Sequence, residues 1–233
     1  MTTHALSGGD MRALYHARAS RYDITSHLYG LLGYRLDAYR RRGIELLLLQ
    51  PGDTVVDVGC GTGANFECLE HAIGPKGTLI GVDLTPAMLE RARALVQRKR
   101  WSNVTLVDSD AARYVFPERV NAVLSTYALT LASSYDEVIS RGAHALIPGG
   151  RFAVVDFKAP ATWPEAALRA IAPLLRPFGV TLDLQSRHPW ESLARHLKLV
   201  AMEERYLGTT YIAVGERQAA VSTGASTHEA RPV

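Results

Sequence analysis

Three aspartates, Asp57, Asp83 and Asp110, and three glycines, Gly59, Gly61 and Gly63, have the types and spacing to hold a charged organic ligand. The glycines alternate within VVDVGCGTGANF, residues 55–66. Glycine lacks a Cβ, so such a loop turns tightly and lets its amides approach a ligand, here where a following helix would gather free N–H groups. The pattern alone is ambiguous. Gly59-Cys60-Gly61-Thr62-Gly63-Ala64 also satisfies the looser dinucleotide fingerprint, and an acid about 20 residues beyond it, as Asp83 is, would grip ribose hydroxyls. Asp57 separates the readings. A carboxylate two residues before the first glycine repels a pyrophosphate but suits an ammonium or sulfonium charge. Asp110 can accept a hydrogen bond from an adenine amine, and Met88 can lay a polarizable thioether on the adenine face. A ribose, an adenine and a cationic head without phosphate describe S-adenosylmethionine.

The elements that must position these residues follow from the pattern. Short apolar runs at 54–58, 78–83, 104–107, 120–124 and 151–157 read as strands. Helical patterns separate them at 66–73, from Thr85-Pro86 to about Arg100, and at 135–146. Thr85 is placed to cap its helix and Pro86 to begin it. Pro148-Gly149-Gly150 reads as a stop between the 135–146 helix and the strand at Arg151. Two last strands, 199–206 and 210–214, meet at a tight turn near Leu207-Gly208. Strands alternating with helices imply an α/β fold, a parallel sheet with helices on both faces. Ahead of it, 11–33 and 36–49 read as helices of an N-terminal cap spanning 1–50, closed by Gln50-Pro51-Gly52-Asp53. The core spans 51–215. Within it, five prolines between 159 and 190 mark a helical insertion over one end of the sheet. Residues 216–233 are small and polar, as a disordered tail would be.

Composition limits the alternatives. A chain of 233 residues with 47% apolar and 21% charged residues suits one soluble domain. Two cysteines, Cys60 and Cys68, make no disulfide framework and point to reduced thiols in the cytoplasm. The N-terminus lacks a signal-peptide core, and Leu46–Leu49 is too short to span a bilayer.

In order and spacing, DVGCGTGANF, GVDLTPAMLERAR, VTLVDSDA, NAVLSTYALT and ALIPGGRFAVVDF resemble the motifs of class I S-adenosylmethionine-dependent methyltransferases. The nearest flavour is the ubiquinone/menaquinone methyltransferase-like group, with a likeness also to enzymes that N-methylate phospholipid or betaine-lipid head groups. The resemblance covers about residues 15–215. It implies a Rossmann-like, seven-stranded, mostly parallel sheet whose last strand is antiparallel. It also implies site residues. Asp57, Gly59 and Gly61 would form the cofactor loop, with Asp57 steering the methionine amino group. Asp83 would hold the ribose, with Leu84 and Met88 against the adenine. Asp110 and the Ala111 amide would read the adenine edge. Ser125 would lie beside the methionine through its backbone, and Tyr22 would meet the methionine carboxylate. Two features depart from the pattern. Val120-Asn121 stands where Phe-Asp is usual, and STYALTLASS lacks the signature of quinone C-methylation.

The acceptor side is less legible, because in-line displacement at a sulfonium needs positioning rather than a metal or a nucleophile. An ammonium acceptor must first lose a proton. Tyr127, after the fourth strand, is the first candidate for the methyl-transfer site, and His188 is a candidate base. Tyr15, Tyr29, Tyr34 and Arg35 could line the acceptor pocket, though packing or a solvated helix face explains each as well. Asp156 and Lys158 end the fifth strand at the functional edge. Two basic clusters, Arg35/Arg40/Arg41/Arg42 and Arg91/Arg93/Arg98/Lys99/Arg100, read as helix-surface charge or as attraction to an anionic membrane. The expectation is methyl transfer to a small or lipidic acceptor, leaving S-adenosylhomocysteine, with an amine ahead of a quinone or phenol. An NAD(P)-dependent oxidoreductase and a non-catalytic cofactor-binding module are the alternatives. No metal or nucleic-acid partner is expected.

Overall fold

A computed structural model describes residues 35–132, 134–160 and 186–219. The expected helix at 11–33, Tyr15, Tyr22, Tyr29 and Tyr34, most of the proline-rich insertion and nearly all of the tail lie outside the described residues.

The chain runs α1 (Leu36–Leu46), β1 (Thr54–Val58), α2 (Phe66–Ile73), β2 (Thr78–Asp83), α3 (Pro86–Lys99), β3 (Val104–Asp108), β4 (Val120–Thr126), a 3₁₀ turn (Leu129–Leu131), α4 (Tyr135–Ala145), β5 (Leu146–Phe157), α5 (Pro189–His196), β6 (Lys198–Arg205) and β7 (Thr210–Glu216). The seven strands form one sheet in the order β3-β2-β1-β4-β5-β7-β6. β1 pairs in parallel with β2 on one side and β4 on the other. β7 is antiparallel to both β5 and β6. Chain order reverses between β1 and β4, and the carboxyl edge at that switch point is where such sheets bind ligands.

Alternate residues of each central strand face opposite layers. Val55, Leu79, Leu124, Val155 and Ile212 pack with Ile44, Leu47, Phe66, Leu69 and Leu89, so α1, α2 and α3 cover one face. Val56, Val58, Val123, Val154 and Ala213 pack with Val138, Ile139, Leu193 and Leu197, so α4 and α5 cover the other. Burial on both faces explains why β1 reads as a continuous apolar run interrupted by a single acid.

The structure revises four local expectations. α1 ends at Leu46, three residues early, and Leu48 turns left-handed at φ 53°. Pro148-Gly149-Gly150 does not stop the chain but sits inside β5. The register between β4 and β5 slips there, and the loosened backbone pairs elsewhere: Gly149 N–H donates to the Arg217 carbonyl and Arg217 N–H to the Gly150 carbonyl. A helix, α5, begins at Pro189, within the segment expected as an insertion, and carries Arg195 and His196 in its last turn. Thr85 makes no side-chain cap to α3; its hydroxyl serves Asp83 instead. At Asn121, where an acid is usual, the side-chain oxygen accepts the Thr54 N–H at 2.9 Å, which any side-chain carbonyl or carboxylate could do.

Phe66 ties the glycine loop to the sheet. Its ring is fully buried. A Cβ on Gly63 would come within 2.8 Å of it, and one on Gly81 of β2 within 2.7 Å. Both glycines are bare because the ring fills their side-chain space. Phe66→Ala should therefore destabilise the fold by about 3–5 kcal/mol. Urea unfolding measures this, and a loss below about 1 kcal/mol would mean that the ring does not carry the loop.

Candidate cofactor site

At the end of β1 the chain buries Asp57 completely. Desolvation raises its pKa to about 7, against the Asn65 hydrogen bonds and the nearby Arg40 charge, both of which pull it down. Asn65 stands at the start of α2 without capping it. Its amide nitrogen instead donates to both Asp57 oxygens, at 3.0 and 3.1 Å, and to the Thr126 hydroxyl at 3.0 Å. The loop that crosses between them turns at Gly59, φ 69°, and Gly61, φ 55°. A Cβ on Gly59 would lie 2.4 Å from the Cβ of Ala128, so the β1 and β4 ends close on each other only without it. A Cβ on Gly61 would meet nothing within 4 Å.

Gly61 therefore borders open space, a cleft along the carboxyl edge of the sheet. Its floor and walls include Gly59, Gly61, Asn65, Asp83, Leu84, Met88, Asp110, Ala111, Thr126, Tyr127, Leu129 and Arg40. Asp83 is fixed by two backbone donors: Gly61 N–H to Oδ2 at 2.8 Å and Thr85 N–H to Oδ1 at 2.8 Å. The Thr85 hydroxyl is a third donor, and the carboxylate keeps its remaining accepting capacity for a ligand hydroxyl. Burial raises the Asp83 pKa, and these hydrogen bonds restrain it. Asp110 Oδ1 accepts the Ala112 N–H at 3.0 Å, which shapes the turn after β3. Met88 is buried one helical turn beyond Asp83.

Most sequence-derived cofactor candidates thus meet at one cleft. Asp57 and Ser125 do not line it. Asp57 lies beneath Asn65, and the Ser125 hydroxyl donates to the Val58 carbonyl at 2.9 Å, fastening β4 to β1. Tyr127 lines the cleft with φ 57°, a left-handed conformation that is costly for an aromatic residue and recurs at functional edges. Its ring packs 4.9 Å from that of Phe157. His188 does not reach the cleft: its Nδ1 is 3.2 Å from Glu191 Oε1, and its ring is 4.8 Å from that of Trp190. Arg35 is an exposed residue ahead of α1. Asp156 is buried below the cleft and accepts the Thr130 N–H at 2.8 Å, holding the 3₁₀ turn; burial raises its pKa to about 6. Burial also pushes the Cys60 thiol up, which disfavours a reactive thiolate.

Two cleft residues were missed by the sequence reading. Asn65 follows the glycines directly, and its value lies in reaching back to Asp57. Arg40 belongs to a cluster expected as helix-surface charge or as attraction to an anionic membrane, yet it is 7% exposed and faces the cleft. Helical periodicity held the signal, because Leu36, Arg40, Gly43 and Ile44 form the buried stripe of α1.

The donor set fits a zwitterionic nucleoside better than a dinucleotide. Among the described residues lining the cleft, Arg40 alone is a lysine or arginine. It lies at the Asp57 end, where the pair would meet an amino-acid head.

The titration of Asp57 gives a testable sign. Its folded pKa, about 7, lies above the ordinary value near 4, so the fold binds this proton more tightly than the unfolded chain. That contribution to stability is fully present below about pH 4 and is lost as pH rises through about 7. Asp57→Asn removes the titration. Measured by urea unfolding from pH 5 to 8, the variant should gain on the wild type as pH rises; curves that stay parallel would refute a perturbed Asp57.

Comparison with known proteins agrees with this geometry. Residues 55–150 match a methyltransferase domain model. The ubiquinone/menaquinone biosynthesis C-methyltransferase UbiE of Pseudomonas paraeruginosa is 29% identical over 211 residues, 85% of this chain and 81% of the relative. A crystal structure of a SAM-dependent methyltransferase from Aquifex aeolicus superposes with a TM-score of 0.54 at 17% identity, covering 76% of this chain and 88% of the other. The geranyl diphosphate C-methyltransferase of Streptomyces coelicolor, solved with Mg2+, geranyl diphosphate and S-adenosyl-L-homocysteine, superposes with a TM-score of 0.64 at 16% identity, covering 77% and 78%. By its motifs, its sheet order and these likenesses, the chain is a class I S-adenosylmethionine-dependent methyltransferase related to the ubiquinone/menaquinone C-methyltransferases.

Proposed function

We propose that the enzyme methylates a carbon of a small, electron-rich aromatic acceptor, a phenol or quinol, in the cleft beside Tyr127. The observation that carries this reading is the Arg40 guanidinium, 5.0 Å from the centre of the Tyr127 ring. A cation already occupies that aromatic face. A cationic ammonium acceptor brought beside it would be repelled in a poorly solvated site, whereas a neutral phenol or a phenolate would not. The acids that line the cleft, Asp83 and Asp110, flank the expected adenosine end and offer no counter-charge to such an ammonium. The UbiE relatives are named as C-methyltransferases, which supports the same choice over the amine head group favoured by the sequence reading.

When bound, S-adenosylmethionine supplies a methyl group already activated by the sulfonium charge. The residues then divide the work of holding and positioning. Asp83, oriented by Gly61 and Thr85, accepts the ribose hydroxyls. Asp110 and the Ala111 amide read the adenine edge, with Leu84 and Met88 against its faces. Asn65 presents the polarity of buried Asp57 toward the amino group. Gly61 leaves room where a side chain would intrude. Tyr127 and Leu129 exclude water from the methyl side, and orienting the acceptor there is the main rate contribution required of the protein.

A membrane is not needed by this reading. The basic run at the end of α3 stands at the opposite edge of the sheet: Arg98 is ten helical residues, about 15 Å, beyond Met88. A bilayer bound there would not face the cleft. Arg42 is engaged by Glu203, at 2.8 Å. Among the described residues, no helix is long and apolar enough to cross a membrane.

The test is a methyl-transfer assay of purified protein with isotopically labelled cofactor, offered quinols, phenols, phosphatidylethanolamine, free amines and thiols. The expected product carries the label on a ring carbon of a phenol or quinol, identified by NMR correlation. Labelling of phosphatidylethanolamine nitrogen, with none on the phenols and quinols, would overturn the proposal.

A further inference from the structure

β5, like β1, carries a buried acid near its end. Both oxygens of Asp156 accept backbone N–H groups: Oδ2 that of Thr130 and Oδ1 that of Phe157, each at 2.8 Å. The Thr130 hydroxyl donates to the Phe157 carbonyl at 3.4 Å. Beyond Thr130, the Arg187 guanidinium donates to the Ala132 carbonyl and lies 5.6 Å from the centre of the Tyr135 ring. The 3₁₀ turn is thus gripped from β5 on one side and from the segment ahead of α5 on the other. Its own backbone bonds, Leu131 N–H to the Ala128 carbonyl and Ala132 N–H to the Leu129 carbonyl, close the turn but do not fix where it stands. Leu129 and Ala132 both line the cofactor cleft, so the grip sets one of its walls.

We propose that Asp156 is a positioning residue: its carboxylate, together with Arg187, holds the turn at 129–132 as a wall of the cofactor cleft, and the wall loosens when that carboxylate takes up a proton. This rests on the cofactor reading above. A carboxylate offers both oxygens as acceptors, whereas a carboxylic acid carries a hydrogen on one of them and serves two N–H donors poorly. An asparagine has the same limit. The groups around Asp156 decide where it titrates. The Arg187 charge opposes the proton, burial favours it, and burial prevails, raising the pKa to about 6. The Tyr211 hydroxyl of β7 keeps its own proton, because burial and the nearby Asp156 push its pKa well up. Tyr135 of α4 lies under Arg187. Lys158, two residues along, pairs with Glu204 of β6, and His188 pairs with Glu191. The clamp is therefore whole at pH 8 and released at pH 5.

Hydrogen exchange read by mass spectrometry, corrected for the intrinsic rate at each pH, tests the clamp, and calorimetry with S-adenosylhomocysteine tests what the wall does. At pH 8, Asp156→Asn should speed exchange of the backbone amides at 128–132 by roughly tenfold or more, the scale of a lost hydrogen bond to a charged group. It should weaken S-adenosylhomocysteine by about threefold or more, because only chains with the turn in place are competent to bind. At pH 5 the wild type should match the variant in both measurements. A wild-type advantage that is equal at the two pH values, or absent at both, overturns the proposal. So does faster exchange at pH 8 with unchanged affinity, since the turn would then position nothing. Should the variant not fold, the wild type decides. Its exchange at 128–132, referred to that of β1, must rise as the pH falls through about 6, and saturating S-adenosylhomocysteine must restore the protection; failure of either overturns the role of Asp156. Binding of S-adenosylhomocysteine without these changes would remove that role and leave the cofactor reading intact. A wild type that does not bind S-adenosylhomocysteine at pH 8 would remove the cofactor reading, and this role with it.

Discussion

A carboxylate buried at the middle of a parallel sheet is expensive unless hydrogen bonds answer it, and the rest of the site depends on how Asp57 is answered. The donor is the Asn65 amide, which reaches both carboxylate oxygens and Thr126 at once. Asn65 lies eight residues on, at the start of α2, so the bond closes the loop between strand and helix. The loop can bridge that span only by turning left-handed at Gly59 and Gly61. Phe66, beneath it, leaves no room for side chains at Gly63 or Gly81. The glycine spacing is thus a consequence of closing a short loop over a buried acid and a buried ring. The open space beside Gly61 is what remains for a ligand.

The sheet spreads the other groups along that space. β2 ends beside β1 and delivers Asp83; β3, one strand further, delivers the turn of Asp110. β4, on the opposite side of β1, delivers Tyr127. On the proposed reading, strand order becomes order along the ligand: the polar hydroxyl and base contacts on one flank, the reacting end on the other. In the proposed mechanism the protein adds position and exclusion of water, and the electrostatic pattern selects which partners can approach. In that mechanism an inward arginine beside Tyr127 would bias the site against cationic acceptors, which no residue in the glycine loop could do.

What was legible in the sequence follows the same division. β1, α2 and β2 were read with their boundaries, because each is an apolar run or stripe bounded by Gly, Pro or Asp. The acids at the strand ends were legible because a charged residue closing a buried strand is seldom there for packing. Pro148-Gly149-Gly150 misled, since its turn chemistry is absorbed by a bulge that the end of β7 holds in place. Arg40 was hidden by its neighbours Arg41 and Arg42: three adjacent arginines look like one charged surface, although a helix turns consecutive residues 100° apart. His188 looked like a base from its sequence surroundings, yet it packs against Trp190 and Glu191. Side chains that must face the acceptor are fixed by tertiary placement and not by a motif, which is why the donor could be read and the recipient could not.

Every role proposed for these residues requires that the cleft beside Gly61 receive a phosphate-free adenosyl amino acid. Titration calorimetry of the purified protein with S-adenosylhomocysteine and, separately, with NADH puts that claim to its most direct trial. Binding of S-adenosylhomocysteine at one site per chain, with NADH giving no comparable heat, is the predicted result. Preferential binding of NADH would contradict it, because the buried Asp57 and a cleft whose described lining holds one arginine would then have to accommodate a pyrophosphate.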